Sequence, residues 1–253
     1  MGGFFLAKYM TPIPVNEQIE TILKECSKHG HDVYLYYGNT FKKPMPATAE
    51  MNASDDLFIE HTSANFTRSN SKAVVLLHTN GGQIKVAYHL IEHLRKFYNN
   101  GITFIVCERA MSAGTFAALS ADKLYGCKDA QFSDFTPIHG VKQSSPAELS
   151  AFVDEFFGAV MQFVGNGILG HRSPDDTWAV VNKISPMFFK IKSTTPHFEI
   201  NFKTLKEEIE EVLELPENEF GKAMLEAHNK IIAIMKADDL DKIIKINGKL
   251  HIE

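Results

Sequence analysis

The 253-residue chain is 44% hydrophobic and 23% charged, with a formal net charge of -5. That balance excludes disordered and fibrous classes, and its mild acidity excludes a general nucleic-acid binder, which needs a basic face. Three cysteines, Cys26, Cys107 and Cys127, are too few and odd in number for a disulfide framework, so they read as reduced thiols of a cytoplasmic protein.

The N-terminal run Phe4-Phe5-Leu6-Ala7 is broken by Lys8 and is too short for a signal-peptide core. It also lacks the Ser or Thr of a myristoylation motif. No window reaches the roughly 18 apolar residues of a membrane span. Residues 15–29 carry apolar positions at helical spacing and end near Gly30, and 32–37 form a short β-type run stopped by Gly38-Asn39. Residues 41–53 hold two prolines and read as a loop, and Ser54-Asp55-Asp56 starts a helix running to about Asn65.

The centre of the chain says most. Ala73–Leu77 is a continuous apolar run, as a strand covered on both faces requires. Thr79-Asn80-Gly81-Gly82 is a turn. Residues 83–97 are amphipathic, with Ile84, Ala87, Tyr88, Ile91 and Leu94 on one stripe. Ile102–Cys107 is a second buried strand, 112–121 a helix and 123–127 a further short strand. Strand and helix alternate here as in βαβ units with a parallel sheet.

Beyond the centre, 146–169, a segment from Ser173 that carries Trp178, 204–213 and 219–235 all predict helices. The acidic run Glu207, Glu208, Glu210 and Glu211 reads as a solvated face. Asn247-Gly248 between alternating residues of 242–252 signals a hairpin. His89 and His93 lie four apart on one helix face, a metal-pair spacing, but no third ligand is near them in sequence. His78 and His171 read as packed or solvated. Neither a metal nor a cofactor is expected.

Two strand-to-helix turns carry chemistry. One is His78-Thr79-Asn80-Gly81-Gly82, whose glycine pair allows close backbone approach and frees N–H groups. The other is Ala110-Met111-Ser112-Ala113-Gly114-Thr115, which puts a serine at a helix start. Parallel sheets gather such turns at the carboxyl ends of their strands, where ligands bind. The Gly82 and Ala113 amides then suit an oxyanion hole around a carbonyl attacked by Ser112. The plainer alternative is a simple turn and a serine that caps its helix.

The stretch LLHTNGGQIKVAYHLIEHL followed by CERAMSAGTFAALSADKLYGC resembles the Clp-type serine peptidase superfamily, nearest its serine dehydrogenase proteinase branch, relatives of signal peptide peptidase A. It covers residues 72–140 well and the rest weakly, and Asn80 stands where the branch has proline. The resemblance implies an α/β Clp/crotonase-like superhelix of ββα units with a mostly parallel sheet, plus a C-terminal helical segment and β-hairpin. Residues 1–203 would form the core and 204–253 the tail. It implies peptide-bond hydrolysis through Ser112, with Gly82 and Ala113 as oxyanion hole, and self-association. An extended peptide would lie along Gly81, Gly82 and Ile84.

The base and acid are open on the sequence. One set is Ser112 with His139 and an unassigned acid; the other is Ser112, His197 and Asp134. Thr136 and Phe198 stand where the branch has acidic residues. A serine–lysine dyad with Lys142, Lys183 or Lys190 is a further option. A catalytically degenerate scaffold that binds or assembles, and a crotonase-type acyl-CoA enzyme, are the alternative readings of function.

Overall fold

A computed structural model describes residues 13–63, 69, 71–135, 158–188 and 199–253. Its framework is a seven-stranded sheet built on the apolar runs of the middle of the chain. Strands β1 (His31–Gly38), β2 (Lys72–His78) and β3 (Ile102–Val106) lie side by side and parallel. They are followed by β4 (Arg109–Ala110), β5 (Lys123–Gly126), β6 (Gln131–Ser133), β7 (Glu199–Asn201), β8 (Val212–Glu214), β9 (Lys242–Ile246) and β10 (Lys249–Ile252). The large sheet runs in the order β10-β9-β1-β2-β3-β5-β8, and β4-β6-β7 make a small second sheet. Only β9 and β10 run against their neighbours in the large sheet. The fold class read from the sequence, α/β with a mostly parallel sheet, is the one observed.

The helices are α1 (Val15–Ser27), α2 (Ala53–Ser63), α3 (Ile84–Phe97), α4 (Ala113–Leu119), α5 over 158–166, α6 (Pro174–Phe188), α7 (Phe202–Glu208) and α8 (Glu219–Ala237). Strand alternation decides where they pack, because successive side chains point to opposite faces. Tyr34 and Tyr36 of β1, Val75 and Leu77 of β2, and Phe104 and Val106 of β3 enter one core with residues of α3 and α4. Leu35 and Tyr37, Val74 and Leu76, and Ile105 enter a second core with residues of α1 and α8. Both faces are therefore covered, which is why these strands carry uninterrupted apolar runs. The β3-β4-α4 succession, and β5-β6 followed by helices, are the ββα units.

The large sheet runs across residue 204. Strand β8 pairs with β5 at one edge, and β9 pairs with β1 toward the other. The expected hairpin is present, with Asn247 and Gly248 in the left-handed region (φ 50° and 75°) that a two-residue turn of this hand needs. The helix expected over 204–213 stops at Glu208, and Val212–Glu214 is a strand instead. Ile209 and Val212 are buried there, and Val212 pairs with Leu124 of β5. Joining the sheet wins over continuing an acidic helix. Nor is the acidic run wholly solvated: Glu211 is largely buried and bonds Arg172, which also pairs with Glu210. Strands β6 and β7 are three residues each, too short to show periodicity. Cys26 and Cys107 are buried, and Cys127 is partly so. Among the described residues no helix is long and apolar enough to cross a membrane.

An ion pair lies fully inside. Lys242 of β9 and Asp55 of α2 are both completely buried, with Nζ 2.7 Å from Oδ1 and 2.9 Å from Oδ2. Lys242 also donates to the Glu50 carbonyl at 2.7 Å, and Asp55 accepts from the Asn52 N–H at 2.9 Å and from the Tyr36 hydroxyl. Every ligand position of the pair is used, as burial of charge requires. Removing one partner leaves the other charge stranded. Lys242→Met is expected to cost about 3–5 kcal/mol, read from urea unfolding; a loss under about 1 kcal/mol would show that water reaches the pair.

Candidate active site

The two turns singled out in the sequence meet at the carboxyl ends of β2 and β3. Their contact depends on the absence of a side chain. A Cβ on Gly81 would stand 2.6 Å from the Met111 carbonyl oxygen, 2.7 Å from Ser112 Cβ and 3.2 Å from the Ala113 nitrogen. Gly81 also has φ +95°, a region that favours glycine. On the other side, a Cβ on Gly82 would collide with the backbone of Met51. Gly114 completes the contact: its Cβ position lies 2.5 Å from Thr79 Cγ2. Three glycines thus let one loop lie flat between Met51 and the Ser112 turn.

Ser112 is the informative residue. It precedes α4 but forms no capping hydrogen bond, and its backbone sits at φ 50°, ψ -120°. A serine that merely capped a helix would be extended and would accept from the next turn. A left-handed conformation in a non-glycine residue is costly and persists only where its surroundings enforce it. The enforcement is visible. The Ser112 N–H donates to Ser133 Oγ at 2.8 Å, and Ser133 Oγ donates to the Asp134 carbonyl at 2.9 Å. The Ser133 N–H donates to Thr115 Oγ1 at 3.0 Å, and Thr115 Oγ1 donates to the Ala110 carbonyl at 2.6 Å. Strand β6 is thereby fastened to the turn. A sharp strand-to-helix turn of this kind is how a fold lifts a serine hydroxyl out of its sheet.

The donors next to it are unspent. The bridge of Gly82 to Met51 uses the flanking groups: Met51 N–H donates to the Gly81 carbonyl at 2.7 Å, and Gln83 N–H donates to the Met51 carbonyl at 2.8 Å. Among the described residues neither the Gly82 N–H nor the Ala113 N–H has an acceptor. The arrangement therefore offers one hydroxyl and two free N–H groups on adjoining turns, which is the equipment of acyl transfer.

No family model matches the chain. No curated protein matches it either. Among solved structures it is similar to ClpP1 from Listeria monocytogenes, with 14% sequence identity and a TM-score of 0.46, over 80% of this chain and 97% of that one. It is also similar to the ClpP protease catalytic domain from Plasmodium falciparum, with 11% identity and a TM-score of 0.48, over 83% of this chain and 95% of that one. Likeness at these values bears on no residue's role.

Of the residues read from the sequence, Ser112, Gly81, Gly82 and Ala113 come together. Asp134 lies one residue beyond Ser133, half-buried. Ile84 is the first residue of α3 and packs against the core, so the extended stretch stops at Gln83. One side of that stretch is already taken by Met51. His139 and His197 lie outside the described residues, as do Thr136 and Phe198, Lys142 and Lys190. Lys183 pairs with Glu208 at 2.8 Å. His89 bonds Asp56, and the His93 ring nitrogen Nε2 meets Asn247 Nδ2 at 2.8 Å, so the two rings serve different partners.

Gly81→Ala is expected to lower the melting temperature by several degrees, since a methyl cannot enter without moving Ser112. Gly158→Ala, where a Cβ meets nothing within 4 Å on a helix, should be neutral or slightly stabilising. Equal melting temperatures for the two variants would contradict the close approach.

Proposed function

We propose that the chain is a serine hydrolase that cleaves peptide bonds by acyl transfer through Ser112, related to the soluble serine dehydrogenase proteinase branch of the Clp-type peptidases. The observation that carries this reading is the left-handed, uncapped conformation of Ser112 beside two unspent N–H groups. A helix-capping serine needs none of these, whereas a hydroxyl nucleophile with an oxyanion hole uses the free donors and gains exposure from the turn.

For the base, strand pairing favours His197. Ser133, bonded to the Ser112 N–H, stands opposite Glu199 in the β6–β7 pair. His197 is two residues from Glu199, a chain reach of at most about 7 Å. His139 is six residues past Ser133, a reach of roughly 20 Å, which constrains it little. Asp134 adjoins Ser133 and supplies the carboxylate that orients the ring. In the reaction His197 takes the Ser112 proton as Oγ attacks the carbonyl carbon. The Gly82 and Ala113 N–H groups hold the oxyanion, and the proton passes to the departing amine. Water, activated by the same ring, then hydrolyses the acyl-enzyme. The substrate of this reading is an extended peptide, and self-association of the chain, expected from the resemblance, belongs to it. Trp178, half exposed on α6, is a candidate contact.

A fluorophosphonate probe is expected to label Ser112, with labelling abolished in Ser112→Ala. His197→Ala should slow peptide hydrolysis or labelling by about 10²–10⁴-fold, and His139→Ala by far less. Absence of labelling across the pH range, with a partner protein still co-purifying with Ser112→Ala, would favour the non-catalytic scaffold. Thermal stabilisation by an acyl-CoA would favour the crotonase-type alternative.

A further inference from the structure

Behind the oxyanion loop lies a second group of side chains that the peptidase reading does not use. His78 ends β2, Glu108 follows β3, and His228 projects from the middle of α8. His78 Nδ1 is 3.8 Å from Glu108 Oε2, and His228 Nε2 is 3.7 Å from the same oxygen. One donor atom from each of the three residues lies within 4.8 Å of the other two. His78 and His228 are buried, while Glu108 is half exposed and opens the group to solvent.

The outer nitrogens of both rings are committed. His78 Nε2 lies 2.9 Å from Thr40 Oγ1, and His228 Nδ1 lies 3.0 Å from the Tyr37 hydroxyl. A neutral imidazole has one N–H and one lone pair. If each outer nitrogen donates to its hydroxyl, both lone pairs turn inward, toward Glu108. Hydroxyl or carbonyl partners on the far nitrogen are the usual way a metal-binding histidine is oriented. The His78 Nδ1 atom is fully buried and has no hydrogen-bond partner among the described residues. Buried polar atoms rarely stay unpaired, and a bound water or ion is one way such an atom is satisfied. Burial disfavours the charged form of both rings, and a neutral imidazole is free to ligate.

We propose that His78 Nδ1, His228 Nε2 and a Glu108 carboxylate oxygen form a binding site for a divalent transition metal, of which Zn²⁺ fits best, with a water as fourth ligand. Two imidazoles and a carboxylate suit zinc. Tetrahedral ligands at zinc distances stand roughly 3.4 Å apart. The observed 3.7 and 3.8 Å need a contraction of a few tenths of an ångström, which the half-exposed Glu108 can supply, and the two ring nitrogens, which lie within 4.8 Å of each other, close on the ion by turning of the rings. Arg109 and Lys236 stand near enough to His78 to disfavour its charged form further. Their charge opposes a dication and lowers the affinity of the site.

The test is titration of the purified full chain, cleared of metal by chelator, with Zn²⁺ by calorimetry and with Co²⁺ by visible absorption. One equivalent of each should bind, with the visible bands of four-coordinate Co²⁺, and Zn²⁺ should raise the melting temperature. Glu108→Gln, half exposed and near-isosteric, should weaken binding at least about 10-fold, and Tyr37→Phe by about 10–100-fold through the loosened His228 ring. His228→Ala, checked for native circular dichroism, should abolish the Co²⁺ bands. The proposal falls if neither metal binds saturably. It falls equally if binding survives Glu108→Gln unchanged, or is lost in Cys107→Ser but not in Glu108→Gln. None of these readouts depends on hydrolytic activity.

Discussion

The architecture depends on a sheet with no wet face. In β1, β2 and β3 alternate residues feed two separate cores, one under α3 and α4 and one under α1 and α8. Such strands cannot place a polar side chain in mid-strand without a buried partner. Lys242, from the neighbouring β9, shows the rule, being satisfied on every side by Asp55 and the Glu50 carbonyl. Polar chemistry is thereby displaced to the strand ends. There the chain leaves the sheet through the turns at 79–83 and 109–113, and there the unspent N–H groups and the Ser112 hydroxyl collect.

Those turns are held by backbone and short side chains, with one long charged group, Arg109, reaching from one turn to Asn80 Oδ1 of the other at 3.2 Å. Gly81 touches the Ser112 turn because it lacks a Cβ, and the Ser112 N–H is fixed by Ser133, itself fixed through Thr115. Short hydroxyl side chains lose little freedom on ordering, so the geometry costs little entropy beyond the strain at Ser112 itself. Donors that are aimed before a ligand arrives need no reorganisation when charge develops, and that is what makes an oxyanion hole effective. The strain at Ser112 and the unpaired amides are the same kind of expense. A fold without use for them would relax both by letting the serine cap α4.

What was legible in the sequence follows from how long each signal runs. β2, α3 and β3 announce themselves because five or more apolar residues, or four helical turns, stand in an unmistakable period. The Asn247-Gly248 turn is legible because few dipeptides tolerate two left-handed residues. The backbone at Ser112 is not legible: serine is a preferred cap, so its composition argues for the conformation it does not have. β6 and β7 are too short for periodicity, although they bring Ser133 and Glu199 together beside the turn. The strand Val212–Glu214 was hidden by the acidic run before it, whose charge spoke for solvent while Ile209 and Val212 were claimed by the core. His228 gave no signal at all, since its neighbours in space lie 150 and 120 residues earlier in the chain.

α8 joins these levels. Its apolar face, Met224, Ala227, Ile231 and Met235, covers the second core. Position 228 is adjacent to that face, so sealing the sheet necessarily carries His228 to the ends of β2 and β3. There it meets His78 and Glu108. Gly82 comes four residues after His78, and Ser112 four residues after Glu108. The two turns of the candidate active site are thus rooted in one small polar cluster, and α8 supplies the third wall of that root. A shift of either turn relative to the other must first separate groups now under 4 Å apart. Packing at the far end of the chain and the spacing of hydroxyl and amide at the site are for that reason not independent quantities.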